Sequence, residues 1–358
     1  MIAVEWMQVG KSVRGCYPNA HCVCRPQLAN YNKHLLLPML RVLLVKTSSL
    51  GDVIHNLPVV HDILQFRPNT VIDWVVEESF SAIPRMHQGV SRVIPMAVRR
   101  WRREITRASS RREIGVFRRH LREQKYDAII DTQGLLKSAI ISCDARGQRY
   151  GLDWRSSREP LRMFYDRTFR VPWGQHAVER NRSLAAQALG YALTTTARFD
   201  IKPAELSAPA KAWLPQARYA VLLHATSAAR KLWPESHWRE VIGTLLQKDI
   251  VSVLPWGSSE EHNRSVRIAA GMPHTIVPPA LALPDLAGVL GRASVVVGVD
   301  TGLTHLAAAL QVPTAGIYCA TDPEATGLYP ALRAVNIGGK DIVPSVLEVI
   351  AAMARISR

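Results

Sequence analysis

A chain of 358 residues that is 47% hydrophobic and 21% charged can bury sizeable cores. That excludes disordered and fibrous classes and predicts about two domains of ~150 residues. The formal charge of +16 predicts anionic partners such as nucleic acid, phosphosugar or anionic lipid, and the longest apolar runs, such as 293–299, fall short of the ~20 residues of a membrane span.

Residues 1–38 show neither helical nor strand periodicity, and Met39 stands directly before the first convincing strand. The reading is an unstructured extension that need not be translated, with Met39 as the true start. Three of the five cysteines (Cys16, Cys22, Cys24) fall there without the paired spacing of a structural zinc site. With isolated Cys143 and Cys319 and no secretory signal pattern, free thiols in a reducing cytoplasm are expected.

From residue 40 short apolar strands alternate with amphipathic helices, the signature of a parallel α/β sheet. Strands are predicted at 40–45, 71–76, 90–95 and 126–131, with helices at 53–66, from 135, and at 176–189. Segment 99–122 carries ten Arg against two Glu and is read as a long basic helical region; 151–182 is read as loops. Pro203, Pro209 and Pro215 mark a linker at 206–218, separating a domain at 39–205 from one at 219–358. The second domain is predicted to hold strands at 219–223, 250–254, 294–299 and 314–318. Its helices are expected at 235–247, 260–270, 303–310 and 343–356. Two such α/β domains facing across a cleft suit an enzyme that joins two substrates.

Three loops at the carboxyl ends of strands are candidate sites. Loop 46–52 offers Asp52 as a working base, or else as a cap of the helix it opens. Loop 224–234 offers Thr226, Ser227 and Lys231 to a diphosphate; otherwise it is a polar turn over a buried Trp233. At 300–305, Asp300, Thr301 and Gly302 open a helix whose free N–H groups form an anion site, with His305 one turn in. A plain helix start is the competing account. Glu261 is placed to accept from ribose hydroxyls, or simply favours a first helical turn. Neither G-x-x-x-x-G-K-[ST] nor G-x-G-x-x-G occurs, so neither a P-loop ATPase nor a dehydrogenase is supported.

These residues, with KTSSLGD at 46–52, RRW at 99–101, DTQGLLKSA at 131–139, REPL at 158–161, HAVER at 176–180, KLWPESHW at 231–238, PWG at 255–257 and VDTGLTHL at 299–306, resemble the lipopolysaccharide heptosyltransferases. The resemblance covers nearly all of 39–358 and favours the heptosyltransferase I branch over heptosyltransferase II, whose loop before Lys-Arg-Trp-Pro is typically glycine-rich. It implies a GT-B fold of two Rossmann-like domains. The implied reaction moves L-glycero-D-manno-heptose from ADP-heptose to the first Kdo of Kdo-lipid A, with inversion.

The resemblance also assigns roles. Asp52 would be the general base. Thr226, Ser227, Lys231, Thr301 and Gly302 would hold the donor phosphates, with Asp300 and His305 shaping the pocket, Glu261 on the ribose and Leu281 near the adenine. Arg99, Arg100, Arg103, Arg158, His176 and Arg180 would meet the anionic acceptor. No metal and no cofactor beyond the ADP-heptose donor substrate is expected, and the protein would sit peripherally on the cytoplasmic face of the inner membrane. Two departures stand in the donor loop: Ala228-Ala229-Arg230 replaces residues that are often acidic, and Ser227 replaces a common threonine. The Arg-rich run also admits a nucleic-acid-binding protein, but only Trp101 and Phe117 interleave it, and no recognition motif accompanies it.

Overall fold

The computed structural model describes residues 39–203, 205–329 and 333–356. The expectations for 1–38 therefore lie outside the described residues. The first half runs β1 (Leu40–Val45), α1 (Leu50–Ile54), α2 (Leu57–Phe66), β2 (Thr70–Glu77), α3 (Ala82–Arg85), β3 (Val90–Met96), α4 (Val98–Arg103), α5 (Ala108–Arg122), β4 (Lys125–Asp131), α6 (Leu136–Asp144), β5 (Arg146–Leu152), β6 (Arg167–Phe169) and α7 (Ala177–Leu189). The second runs α8 (Ala208–Trp213), β7 (Tyr219–Leu223), α9 (Glu235–Leu246), β8 (Val251–Val253), α10 (Ser259–Ala269), β9 (Thr275–Ile276), α11 (Leu283–Leu290), β10 (Val295–Val299), α12 (Gly302–Ala309), β11 (Thr314–Tyr318), α13 (Pro323–Thr326), β12 (Ala334–Gly338) and α14 (Val346–Ile356).

Each half is a parallel six-stranded sheet, ordered β3-β2-β1-β4-β5-β6 and β12-β11-β10-β7-β8-β9. In both, the chain winds outward one way and then the other. The reversal falls between β1 and β4 in the first sheet and between β7 and β10 in the second, and crevices outside the carboxyl ends of strands at such points receive ligands. The central strands are fully buried, as Val42 to Val45 and Val295 to Val299 illustrate, which is why they read as unbroken apolar runs. The largest apolar cluster crosses from one sheet to the other, joining Val42 and Trp74 with Val221, Leu286 and Leu306.

Several expected boundaries shift. The helix expected at 53–66 is two helices, because Pro58 sits in the first turn of α2 and cannot continue α1. The proline-rich stretch at 206–218 holds α8, where Pro209 occupies a first-turn position that needs no N–H donor. Segment 151–182, read as loops, contains β6 and the end of β5, and β9, α11, α13 and β12 were not anticipated.

Candidate active site

The register of β1 places the first cleft wall. Val45 pairs with both Val75 and Asp131, so loops 46–49 and 132–135 leave the sheet at one edge. Lys46 is only 6% exposed. Its ammonium donates to the Thr132 carbonyl at 2.8 Å and to Asn181 Oδ1 at 3.4 Å. Burial pulls the Lys46 pKa down, against the opposing pull of Asp52 and Asp131. Gln133 Oε1 accepts from the N–H groups of Thr47 and Ser48, both at 3.0 Å, and so fixes the loop.

Asp52 is the third residue of α1, and the residue capping that helix is Ser49. The carboxylate reaches back: Oδ2 accepts from the Ser49 N–H at 2.7 Å and from Ser49 Oγ at 2.9 Å. The capping geometry and the placement of a base are therefore compatible in one side chain. Asp52 lines a cavity of about 330 Å³ together with Lys46, Gln133, Arg158, Arg180 and Asn181. Ala325 and Thr326 of α13 close it from the second half.

Arg180 is held by three carbonyls, Ser156 at 2.7 Å, Pro172 at 2.6 Å and Val171 at 3.1 Å. Its guanidinium lies 4.1 Å from the Trp173 ring centre, and burial with the nearby Arg158 lowers its pKa. The other expected acceptor residues do not line this cavity. Arg99 donates its N–H to Glu77 Oε1 at 3.3 Å and lies over Phe80. Arg100 is paired with Glu78 at 3.1 Å and Glu113 at 2.8 Å. Arg103 is exposed at the end of α4.

In the second half Gly298 pairs with Leu223 and Gly316, so the loops after β7, β10 and β11 also leave one edge. They converge on Asp300. Lys231 Nζ lies 2.7 Å from its Oδ2, Thr321 Oγ1 donates to the same oxygen at 2.6 Å, and His305 Nε2 lies 3.6 Å from Oδ1. Burial alone would raise this carboxyl, but the bonds from His305, Lys231 and Thr321 outweigh it and hold it well below the usual carboxylate range. Thr226 Oγ1 donates to the Asp300 backbone carbonyl at 3.0 Å, and Ser227 is exposed beside it. Thr301 caps α12 and Gly302 begins it, a helix start of the kind whose first N–H groups can meet an anion, although that of Thr304 is taken by the Thr301 carbonyl at 3.1 Å.

Glu261 sits in the first turn of α10, where Oε2 accepts from the Gly257 N–H at 2.7 Å. Its helix-start alternative is thus realised through one oxygen. Leu281 is half-buried against the large apolar cluster. Among the described residues, no group of three His, Cys, Asp or Glu converges with metal-ligand geometry, and no helix is long and apolar enough to cross a membrane.

The halves meet at these same loops. A Cβ on Gly302 would come within 2.6 Å of Leu50, and one on Gly51 within 3.3 Å of the His305 ring. His55 Nε2 and His305 Nδ1 are 3.3 Å apart, and His176 packs edge-on to His55 while stacking on Tyr329. Burial, reinforced by His305 and His176, pushes the His55 pKa well below its usual value. His176, expected among the acceptor contacts, bonds the Gly327 carbonyl at 3.1 Å across this junction.

The sequence model of Glycosyltransferase family 9 (heptosyltransferase) matches residues 114–344. The chain belongs to glycosyltransferase family 9. Among its relatives in the family is Lipopolysaccharide heptosyltransferase 1 of Escherichia coli K12, 46% identical over 295 residues, covering 81% of this chain and 91% of that one. The Pseudomonas aeruginosa protein of the same name is 47% identical over 298 residues, covering 81% of each. The solved structure of E. coli heptosyltransferase WaaC with ADP matches with a TM-score of 0.81 and 42% identity, over 88% of this chain and 99% of that one. The two-sheet GT-B architecture expected from the sequence is the fold of this family 9 chain.

Several residues at these loops escaped the sequence reading. Lys46 lies inside a quoted motif, but its burial against Thr132 and Asn181 had no sequence signal. Thr321 follows β11 and so belonged to a third loop at the same edge. His55 sits in the turn between α1 and α2, and its ring partners His305 and His176 come from α12 and the start of α7.

Proposed function

We propose that this chain transfers L-glycero-D-manno-heptose from ADP-heptose to the first Kdo of Kdo-lipid A, as a heptosyltransferase I of lipopolysaccharide inner-core synthesis. The observation that carries the reading is the 46–47% identity to proteins named Lipopolysaccharide heptosyltransferase 1, across four-fifths of the chain. It is supported by the match to WaaC bound to ADP-2-deoxy-2-fluoro heptose, at a TM-score of 0.76, 41% identity, and coverage of 89% of this chain and 100% of that one.

In this reading the acceptor sugar enters the cavity beside Asp52, with Arg158 and Arg180 meeting its anionic groups. Asp52 takes the proton of the acceptor hydroxyl as that oxygen bonds to the anomeric carbon. The bond from that carbon to the donor phosphate oxygen breaks with its electron pair, and a single displacement inverts the centre. Charge developing on ADP is met by Lys231, the hydroxyls of Thr226 and Ser227, and the N–H groups at Thr301 and Gly302. Asp300 fixes the Lys231 ammonium, and His305 completes the pocket. Glu261 takes the ribose and Leu281 packs by the adenine. Arg99, Arg100, Arg103 and His176 extend the acceptor side. Lys231 and the helix start supply the positive charge, so transfer needs neither metal nor cofactor. The +16 charge supports peripheral attachment to the anionic cytoplasmic face of the membrane that carries the acceptor.

ADP release from ADP-heptose, measured without acceptor, with de-acylated Kdo-lipid A and with its heptosylated form, tests the reading. Release only with the unheptosylated acceptor is expected. Release only with the heptosylated one would make the chain a heptosyltransferase II, and release with neither would overturn the assignment.

A further inference from the structure

Helix α6 connects the catalytic cavity to an apolar groove that the proposed reaction does not use. Gly134 and Leu135, just before the helix, line the cavity beside Asp52. Ile140 and Ile141, within two turns, line an open groove of about 680 Å³ with Trp101, Ile105, Ile114 and Phe117. Leu136 and Ile140 are one turn apart on the same face, 48% and 54% exposed, so an apolar edge runs from the cavity rim to the groove. Ile105 at the far wall is 54% exposed. Past Cys143, which lines the end of the groove and whose thiol donates to the Phe164 carbonyl, Trp154 is 62% and Met163 84% exposed. Trp173, which lines the cavity, is 50% exposed.

Seven of the twelve large exposed apolar side chains among the described residues fall between 105 and 173. Scattered exposure of that kind is ordinary on a protein surface, but its concentration around one helix marks an interaction site. The net charge beside it is positive. Arg118 and Arg122 share the single carboxylate of Asp144, whereas Arg102, Arg103, Arg111, Arg112 and Arg119 form no ion pair among the described residues. Exposed tryptophan, protruding aliphatic side chains and uncompensated arginine together match the boundary between headgroups and acyl chains of an anionic bilayer.

We propose that the face built from α4, α5, α6 and the 154–163 segment docks on an anionic phospholipid surface, setting the mouth of the cavity at headgroup level. This deepens the proposed function and rests on its acceptor being a lipid-anchored sugar. Docking is interfacial: Ile105, Ile140, Trp154 and Met163 enter the acyl boundary while the arginines meet lipid phosphates.

The test is flotation of the full chain with phosphatidylglycerol-containing vesicles and with pure phosphatidylcholine vesicles at about 0.15 M salt. Binding to the first and not the second is expected, and the double variant Ile105→Ser, Ile140→Ser should bind roughly tenfold more weakly or worse. Its turnover on a de-acylated, water-soluble acceptor should stay unchanged, which separates docking from catalysis. Quenching of tryptophan fluorescence by vesicles with brominated acyl chains checks insertion in the unmodified protein. No binding to anionic vesicles, or equal binding by the variant, would overturn the proposal. A variant defect with an acylated acceptor in detergent, without a bilayer, would also overturn it and assign the groove to the acceptor's own chain. Normal docking by a protein that releases no ADP with any acceptor would leave the docking face standing and reject the function.

Discussion

Replacing Asp52 with Asn separates the capping bonds this side chain makes from the base role proposed for it. Oδ2 accepts two hydrogen bonds from Ser49, and an asparagine carbonyl oxygen in the same place accepts both. The turn that presents the residue should survive, at a cost of about 1 kcal/mol or less, a melting shift of no more than about 2–4 °C. The amide cannot take a proton from an acceptor hydroxyl, so turnover should fall ~10²-fold or more, at least about 2.7 kcal/mol of barrier. ADP-heptose affinity should stay nearly intact, because the donor residues lie on loops of the other sheet. Asp52→Ala should lose the cap as well and melt measurably lower than Asp52→Asn at similar activity. Coupled ADP-release kinetics, donor titration calorimetry and thermal melts of the three proteins supply the data. An Asp52→Asn enzyme retaining more than about a tenth of normal turnover would refute the base assignment.

Lys231→Ala should weaken donor binding and turnover together, by roughly tenfold or more, since it removes the proposed phosphate ligand and leaves the Asp300 carboxylate buried beside only Thr321 and His305; calorimetry with ADP reads the first effect. Gly302→Ala should drive a methyl into Leu50 and cost about 1–3 kcal/mol, seen as a lower urea midpoint, with turnover reduced because α1 is displaced. His87 and His224 are buried with pKa values lowered to about 4 by loss of hydration. Unfolding lets both take up protons below about 6.5, so stability should be full above that pH and fall as pH drops towards 4, by roughly 2 kcal/mol per histidine at pH 5. Urea midpoints from pH 7.5 to 5 check this, and His224→Gln should flatten part of the slope.

The sequence revealed most where a local rule was enough. Continuous apolar runs such as Val42 to Val45 and Val295 to Val299, bounded by turn residues, read as central parallel strands, and the polar residues after them fall at the crevice edge. Strand β5, Arg146–Leu152, has a polar sequence because it lies near a sheet edge, so its pattern did not stand out. The prolines at 203, 209 and 215 suggested a break, yet Pro209 suits the first turn of α8. Of the arginines at 99–122, nothing local told Arg100, occupied by Glu78 and Glu113, from those left free. Lys46 with Asn181, and His55 with His305, meet across 135 and 250 residues of chain, a distance no spacing rule spans.

The seating of Leu50 on Gly302 has a mechanical meaning. Asp52 belongs by chain to the first sheet, yet the short helix that carries it is located by the helix start assigned to the donor diphosphate. In the proposed reaction, base and leaving group are thus gauged from one common reference surface, and errors in the relative tilt of the two sheets do not accumulate between them.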